Sequence, residues 1–346
     1  MNEIIKNEVI KILQSNPELS SKDIFENLSV SVSYASIKRI ISKLINENLI
    51  TSTGKGKSTK YFISNSYNLL YPFNISTYFD KEIDEREINK NYNFNLITDI
   101  LSNNNLFTTN ELDKLNKLQQ TFFQHQKDLT DIENNKELER LAIDLSWKSS
   151  QIEGNTYSLL ETERLLKDKQ TAAGKTKEEA IMLLNHKDAI DFIIDNNNFI
   201  HPIDTKKIEY IHSLLIKELE VSKNIRKRRI GITGTNYKPL DNEFHIKEAI
   251  ESMCNLINSK DNIFEKALIA LSLISYIQPF MDGNKRTARI ISNAILIKNN
   301  HCPISFRTVD SIDYKKAMLI FYEQNNIFHL KNIFIEQFEF AVNNYF

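Results

Sequence analysis

Cysteine, glycine and proline are scarce in this chain of 346 residues, which has two cysteines, seven glycines and six prolines. The two cysteines, Cys254 and Cys302, stand far apart, so neither a disulfide framework nor a zinc knuckle is expected, and a reducing compartment is indicated. So few turn-forming residues disfavour a β-sandwich or barrel and predict a mostly α protein. An excess of charge of one sign is also absent, because 44 Lys and Arg residues nearly balance 45 Asp and Glu. Any charged partner must therefore be bound by a local patch.

Long hydrophobic runs are missing as well. The most apolar stretch, Ile263 to Ile277, is shorter than the roughly 20 residues that cross a bilayer, and it contains a Glu and a Lys. It predicts a helix buried in a core. The amino terminus mixes charges among its apolar residues and lacks the apolar core of a signal peptide. We therefore expect a cytoplasmic protein with no membrane partner.

Residues 1–65 are predicted to form a separate domain. Apolar residues recur at helical spacing from Ile4 to Leu13, from Ser21 to Leu28 and in a third stretch that ends near Glu47. Two short strands, at residues 49–52 and 60–63, follow on either side of a turn rich in Gly and Lys. Three helices and a β-wing in this order resemble a winged helix-turn-helix.

The polar face of the third helix and the wing carry residue types that bind phosphates and base edges. The candidate DNA-binding residues are Ser33, Tyr34, Lys38, Arg39, Lys43, Lys55 and Lys57. Over residues 1–65, nine Lys and Arg stand against six Asp and Glu. DNA is therefore a predicted partner, and a winged-helix module that contacts proteins is the alternative. Because winged-helix proteins commonly read paired half-sites, a homodimer is a further expectation.

Residues 66–140 are predicted to be a helical connector between the two informative parts of the chain. Their charge run at residues 80–87 is typical of a solvated helix face. A further helix leads to Gly154-Asn155, a pair that indicates a helix stop. Glu153 then lies at a helix C-terminus, where a carboxylate opposes the macrodipole and needs a cation nearby.

Residues 278–289 carry the side chains best suited to binding phosphates and a metal ion. A loop opens at Asn284 into a helix, and the free N–H groups and positive dipole end of such a helix suit a phosphate. Arg286 and Arg289 are three residues apart and project from one face, where they could neutralise polyphosphate charge. Asp282 offers the hard oxygen ligand that a magnesium ion shared with phosphates needs.

This segment resembles the signature of Fic (Fido) domain proteins, H-P-F-x-D/E-G-N-G/K-R-x-x-R. Residues 149–154 resemble the inhibitory motif S/T-x-x-x-E-G/N of the branch that carries this element ahead of the Fic core. Residues 230–239 resemble the Fic flap, a hairpin that holds a target segment by strand addition. The resemblance implies a Fic domain over residues 141–346, a helical core with a small β-hairpin flap, whose inhibitory helix is residues 141–155.

The resemblance also implies an activity, the transfer of AMP from ATP with Mg²⁺ to a hydroxyl of a target protein. The metal ligand would be Asp282, and the residues bound to ATP would be Gly283, Asn284, Lys285, Arg286, Arg289 and Tyr314. Asn284 and Arg286 would also take part in catalysis. The inhibitory element would be Ser149, Glu153 and Gly154, with Glu153 held by Arg289. The target protein would be held by Gly231, Thr233, Gly234, Thr235 and Tyr237.

Two positions depart from the commonest signature. Gln278 stands where a histidine acts as general base, and a carboxamide has no usable proton affinity near pH 7. His212 or His245 could replace it only if folding brings one of them close. Lys285 replaces the commoner glycine, as in the Doc-like branch that phosphorylates its target, so AMP and phosphate both stay open as the transferred group.

Three functions compete on these observations. The first is a nucleotidyltransferase inhibited by Glu153 and slowed by Gln278. The second is a catalytically inactive regulator that senses a nucleotide and binds DNA. A pure interaction scaffold ranks last, because a scaffold has no need for Asp282, Asn284, Arg286 and Arg289 together.

Overall fold

The protein is described by a computed structural model that covers residues 2–346. Over these residues the chain forms α-helices and a single two-stranded antiparallel sheet. The scarcity of glycine and proline leaves the helices uninterrupted, since these residues are the ones that most disfavour a helix interior. The prediction of a mostly α protein is confirmed. Within residues 2–346, no helix has both the length and the apolar character that a bilayer span requires.

The amino-terminal elements follow the predicted order. They are α1 (Asn2–Ser15), α2 (Ser21–Glu26), α3 (Tyr34–Asn46), β1 (Ile50–Thr53) and β2 (Lys60–Ile63). Ser20 and Ser33 cap the second and third helices with their side chains, as expected of serine at an N-cap. The apolar stripe of α3 is buried, and its polar face is left on the surface. Strands β1 and β2 pair antiparallel, with Ile50 opposite Ile63.

The connector is mostly helical, with an irregular stretch at residues 86–94. It contains α4 (Tyr67–Leu70), α5 (Ile75–Phe79), a 3₁₀ turn (Ile83–Glu85), a π-helical segment (Leu96–Leu101) and α6 (Thr109–Asp128). The charge run at residues 80–87 is exposed to solvent except at Arg86, but it is not a helix face, because only the 3₁₀ turn is helical there. Arg86 is buried because it forms an ion pair with Glu323, which lies far along the chain.

Nine helices form the carboxy-terminal core. They are α7 (Asp131–Ile152), α8 (Leu159–Asp168), α9 (Lys177–Asp195), α10 (Thr205–Leu215), α11 (Glu243–Ser259), α12 (Ile263–Ile277), α13 (Asn284–Lys298), α14 (Ser311–Gln324) and α15 (Phe328–Tyr345). Helix α12 lies at the centre and contacts α11, α13, α14 and α15. It is the predicted apolar run, buried along almost its whole length.

Two boundaries differ from the prediction. Helix α7 begins at Asp131, so the proposed division between residues 140 and 141 falls inside a continuous helix. The flap segment (residues 230–239) does not form a β-hairpin: it turns at Thr233-Gly234, and within the described chain the two-stranded sheet is confined to β1 and β2. Its second arm instead pairs outside the segment, where Lys238 forms an isolated bridge with Asn91 of the connector.

Candidate nucleotide-binding site

The predicted phosphate loop connects α12 to α13, and a residue at each end of it has left-handed backbone. Gln278, the C-cap of α12, has a φ of 52°, and Gly283, the N-cap of α13, has a φ of 82°. A glycine suits the second position because a side chain is strained there. The added Cβ of Gly283 would also lie 3.4 Å from the ring of His212. The loop therefore has a tightly constrained course.

Asn284 holds this loop in shape with its side chain. Its Oδ1 accepts from the backbone N–H of Phe280 at 2.8 Å, and its Nδ2 donates to the Phe280 carbonyl at 2.8 Å and to Oε1 of Gln278 at 2.9 Å. The Gln278 Nε2 donates to the Ser275 carbonyl at 2.7 Å. The carboxamide of Gln278 is thus fixed at the edge of the loop, and Asn284 acts by positioning.

A cavity of about 620 Å³ opens in front of the loop, within the size range of small-molecule sites. Ten residues singled out from the sequence line it: Glu153, Gly231, Thr233, Gly234, Gln278, Asp282, Gly283, Asn284, Lys285 and Arg286. The fold therefore brings the loop, the inhibitory element and the flap segment to one place.

The N-terminus of α13 faces this cavity without a side-chain cap. Gly283 is its N-cap and offers no side chain, whereas α6, α7, α8 and α9 each carry a capping box. Free N–H groups and the positive end of the helix dipole attract an anion. Arg286 adds a fixed positive charge, since its buried guanidinium donates to Asp282 Oδ2 at 2.9 Å.

Asp282 is the residue of the site that suits a magnesium ion. Its side chain is 62% exposed, and Arg286 engages its Oδ2, which leaves Oδ1 for a cation. Magnesium keeps several waters and is held through one or two carboxylates plus substrate phosphates. A single carboxylate beside a phosphate cradle fits that chemistry. Across residues 2–346 there is no cluster of three or more His, Cys, Asp or Glu side chains that could hold a metal ion.

Glu153 lies between the cavity and the second arginine. Its Oε1 accepts from Arg289 Nη2 at 2.8 Å, and its Oε2 is 3.4 Å from Lys285 Nζ. Arg289 is fully buried and also donates to the Ser149 hydroxyl at 2.7 Å and to the Ser149 carbonyl at 3.0 Å. The expected contact of Glu153 with Arg289 is present, and Lys285 supplies a second cation.

A Schellman motif places Glu153 at the end of α7. Gly154 N–H donates to the Gln151 carbonyl and Asn155 N–H to the Ser150 carbonyl, each at 3.0 Å, with Gly154 at φ of 102°. Burial raises the pKa of the Glu153 carboxyl, but Arg289, Lys285 and Arg286 outweigh it, so the pKa lies below its ordinary value of 4.5. The carboxylate is therefore ionised at neutral pH.

Arg289 does not line the cavity, because it is enclosed by Glu153 and Ser149, which is the arrangement that the resemblance implies while Glu153 is in place. Two site predictions need correction. Tyr314 is fully buried beneath the Arg289 guanidinium, 5.3 Å from it, and Tyr322 lines the cavity in its place. Both tyrosines lie on α14, eight residues apart, so helical spacing alone could not choose between them.

Tyr237 is the second correction, because its side chain is unavailable to a target. It is buried, stacks on Tyr276 and Tyr322, and donates to the Tyr276 carbonyl at 3.1 Å. The Thr235 hydroxyl is also used internally, since it accepts from the Tyr237 N–H at 3.0 Å. These residues anchor the flap segment, while Gly231, Thr233 and Gly234 face the cavity.

Neither candidate histidine replaces the missing base. His212 stacks flat on Phe280 and its Nε2 donates to the Asp282 carbonyl at 2.9 Å. Burial lowers the pKa of His212 to about 4, so it is neutral at pH 7 and supports the loop from behind. His245 lies at the start of α11 beside Asn242 and Phe94, outside the cavity lining.

Two buried residues that shape the site were not among those predicted from the sequence. Arg226 donates from Nε to the Gln278 carbonyl at 2.6 Å and from its backbone to the Pro279 carbonyl at 3.0 Å. Its signal was hidden in a basic run at residues 226–229. His186 is fully buried with Nε2 2.7 Å from the Ser149 hydroxyl, so Arg289, Ser149 and His186 form a chain of hydrogen bonds. No local motif marks it.

The candidate DNA-binding residues form a separate surface on the amino-terminal elements. Ser33 caps α3, and its hydroxyl contacts the Ser36 hydroxyl at 2.8 Å. Lys38 lies over the Tyr34 ring at 4.8 Å. All seven residues are exposed: Ser33, Tyr34, Lys38, Arg39 and Lys43 around α3, and Lys55 and Lys57 in the wing.

Comparison with known proteins agrees with the resemblance. Residues 202–296 match the family model described as Fic/DOC family. The chain is 28% identical over 179 residues to the protein adenylyltransferase Fic of Nematostella vectensis, covering 49% of this chain and 40% of that protein. It is 25% identical over 175 residues to the protein adenylyltransferase fic-1 of Caenorhabditis elegans, covering 48% and 34%. The chain thus spans about two fifths or less of these relatives' lengths.

Solved structures share the fold. Fic-1 (residues 134–508) of C. elegans superposes with a TM-score of 0.60 at 18% identity, covering 68% of this chain and 71% of that one. A Fic domain-containing signalling protein of Bacteroides thetaiotaomicron superposes with a TM-score of 0.57 at 16% identity, covering 66% and 94%. The family match, the named relatives and the common helical fold together show that this chain contains a Fic/DOC domain.

Proposed function

We propose that the protein binds ATP in the cavity in front of α13 and transfers AMP to a hydroxyl of a target protein. The observation that carries this proposal is the uncapped N-terminus of α13, which faces a 620 Å³ cavity beside Asp282 and Arg286. Its backbone N–H groups and Arg286 would bind the phosphates. Asp282 would hold a Mg²⁺ ion, which supplies charge neutralisation on the polyphosphate.

In this reaction the target hydroxyl oxygen forms a bond to the α-phosphorus, and the bond from that phosphorus to the pyrophosphate oxygen breaks. AMP becomes attached to the target and pyrophosphate leaves. The hydroxyl proton passes to water, because Gln278 cannot accept it near pH 7. General bases contribute typically 10²–10⁴-fold, so a slow reaction supported by positioning and electrostatics is expected.

Glu153 would hold the enzyme in an inhibited state. Its carboxylate occupies Arg289 and Lys285, the cations that otherwise remain for the distal phosphates of ATP. Arg289 also donates to Ser149 from Nε and Nη2, while its buried Nη1 has no hydrogen-bond partner within residues 2–346, so displacing Glu153 would free the guanidinium for a phosphate. A nucleotide would then compete with a carboxylate already in place.

Intact-protein mass spectrometry after incubation with ATP and Mg²⁺ tests the transfer. We expect no gain for wild type, a slow gain of one AMP for Glu153→Gly, and a gain about 10²–10⁴-fold faster for Glu153→Gly/Gln278→His. The control is Glu163→Gln, which alters an exposed ion pair on α8. A phosphate-sized gain would assign the Doc-like reaction instead. Absence of mass gain in every variant, together with absence of ATP binding by calorimetry, would contradict the proposal.

A second candidate function is supported by the exposed basic surface of α3 and the wing. We propose that this surface binds DNA, with α3 in the major groove and the wing along the backbone. A homodimer would bring two such helices to paired half-sites. We also propose a cytoplasmic location, in which the two buried, free cysteines stay reduced.

Salt-dependent binding to duplex DNA tests this second function. Each phosphate contact contributes about 0.9 to the slope of log affinity against log salt concentration. Lys55→Ala/Lys57→Ala should lower that slope by about two, whereas Lys11→Ala on the exposed face of α1 should leave it unchanged. Binding that is equally weak in all three proteins would favour a protein-contact role. Light scattering at the same salt concentrations reports the oligomeric state.

A further inference from the structure

The flap segment is held from outside by the connector. Because its own two arms are not paired as strands within the described chain, other contacts must fix its position. Apart from the buried side chain of Tyr237, they come from residues 80–91, which we call the strap. The strap follows α5 and runs alongside the second arm of the flap segment, where Asn91 and Lys238 form a parallel bridge.

Arg86 makes the contact at the tip of the flap segment. Its Nη2 donates to the Gly234 carbonyl at 2.7 Å, and its Nη1 donates to Glu323 Oε2 at 3.2 Å. The guanidinium also lies 5.1 Å from the Phe79 ring centre. A planar guanidinium can hold two acceptors in fixed directions at once. Arg86 therefore joins the flap tip to α14, the helix that also carries Tyr322 of the cavity wall.

Two further contacts continue along the same arm. Asn236 Nδ2 donates to Asp84 Oδ1 at 2.8 Å, and the Lys238 N–H donates to the Lys90 carbonyl at 2.8 Å. The flap segment is thus tied to the strap at residues 234, 236 and 238. Gly231, Thr233 and Gly234 line the cavity directly ahead of these ties.

We propose that the strap, through Arg86, sets the position of the flap segment against which a target protein's hydroxyl-bearing segment lies. Arg86 is a positioning residue, since it touches the flap backbone and not the cavity contents. The role of Arg86 in catalysis rests on the proposed function, but the structural link between the strap and the flap segment does not. In the chain, α4 and α5 join the strap to the amino-terminal elements. The strap therefore connects the candidate DNA-binding surface to the candidate target site.

Hydrogen exchange of the full-length protein tests the link without nucleotide or target. Arg86→Lys keeps a positive charge beside Glu323 but replaces the two diverging Nη donors by one compact ammonium, so the contact with the Gly234 carbonyl should be lost or lengthened. We expect amides of residues 232–236 to exchange about three- to tenfold faster in this variant, as for the loss of one hydrogen bond. Asn236→Ala, an exposed substitution, should increase the same exchange rates by a smaller factor.

Two controls separate positioning from a general effect on stability. Glu323→Gln weakens the buried ion pair but leaves the Arg86 contact with Gly234, so exchange at residues 232–236 should stay within twofold of wild type. Arg307→Lys alters a more exposed ion pair with Asp144, away from the flap segment, and should likewise leave those amides unchanged. The inference would be overturned if Glu323→Gln increased exchange in the flap segment as much as Arg86→Lys does. It would also be overturned if exchange were unchanged in both Arg86→Lys and Asn236→Ala.

ATP binding tests the proposed function separately from the hydrogen-exchange test of the link. ATP binding by calorimetry should be the same in wild type and Arg86→Lys, because Arg86 lies outside the phosphate cradle. If wild type and Glu153→Gly both fail to bind ATP, the proposed function is wrong while the exchange result still decides the link. In the Glu153→Gly background, Arg86→Lys should raise the target concentration for half-maximal transfer more than it lowers the maximal rate.

Discussion

Replacing Glu153 by glutamine should strengthen ATP binding. The carboxylate bonds a fully buried arginine at 2.8 Å while its own side chain is 20% exposed. A hydrogen bond between charged groups contributes about 1.5–3 kcal/mol, and the more exposed contact with Lys285 adds about 0.2–1 kcal/mol. If ATP must displace these contacts, about 2–4 kcal/mol is removed from its binding free energy. Glu153→Gln should therefore lower the Kd for ATP by about 30- to 700-fold.

The same substitution should make the protein without nucleotide less stable. Loss of the carboxylate leaves Arg289 buried with only the Ser149 contacts, and breaking a buried pair from one side costs up to roughly 3–5 kcal/mol. Part of this loss is offset because a carboxylate at the C-terminus of α7 opposes the helix dipole. ATP should thus raise the melting temperature of Glu153→Gln by more than that of wild type.

Isothermal titration calorimetry with ATP and Mg²⁺ provides the assay, with denaturant unfolding of each protein beside it. Glu163→Gln is the matched control, because its ion pair with Lys167 is exposed on the neighbouring α8. An equal ATP affinity in wild type and Glu153→Gln would refute the reasoning, since it would mean that ATP does not compete with the Glu153 contacts.

Three other outcomes follow from the site. Asn284→Ala should destabilise the protein by roughly 2–4 kcal/mol in urea unfolding, because three buried hydrogen bonds of the loop are lost, whereas Asn299→Ala should cost much less. Lys285→Gly should weaken ATP binding by up to about fivefold, because it removes a partly exposed cation that would otherwise bind the distal phosphates. Burial, with Arg289 and Arg286 nearby, keeps the pKa of His186 well below its usual 6.5, so the unfolded chain alone takes up this proton in mild acid. The free energy of unfolding should consequently fall as the pH drops below about 6.5, and His186→Gln should lose less stability between pH 7 and pH 5.

The parts of the fold predicted most accurately are those with strong local signals. The apolar run from Ile263 to Ile277 is helix α12 with the same two end residues, since proline follows it and nearly every side chain is apolar. Gly154 ends α7 as expected, because the left-handed residue of a Schellman motif favours glycine. The loop before Asn284 follows from its proline and glycine in the same way.

The predictions were less accurate for residues whose surroundings are formed by a segment distant in the sequence. The charge run at residues 80–87 is solvated as expected except at Arg86, which is buried against Glu323, because charge alone says nothing about a distant partner. Tyr237 looked available because it lies in a flap-like stretch, yet its ring completes an aromatic stack with Tyr276 and Tyr322. In each case the decisive neighbour lies more than 35 residues away.

The sequence by itself determined the helical class, the loop before α13 and the position of Glu153 at a helix end, because each depends on residues within a few turns of one another. Only the tertiary structure decided that Glu153 meets both Arg289 and Lys285, that Tyr322 and not Tyr314 lines the cavity, and that Arg86 holds the flap segment. The physical reason is that burial and ion pairing depend on which surfaces the core brings together, and a local pattern carries no information about the opposite surface.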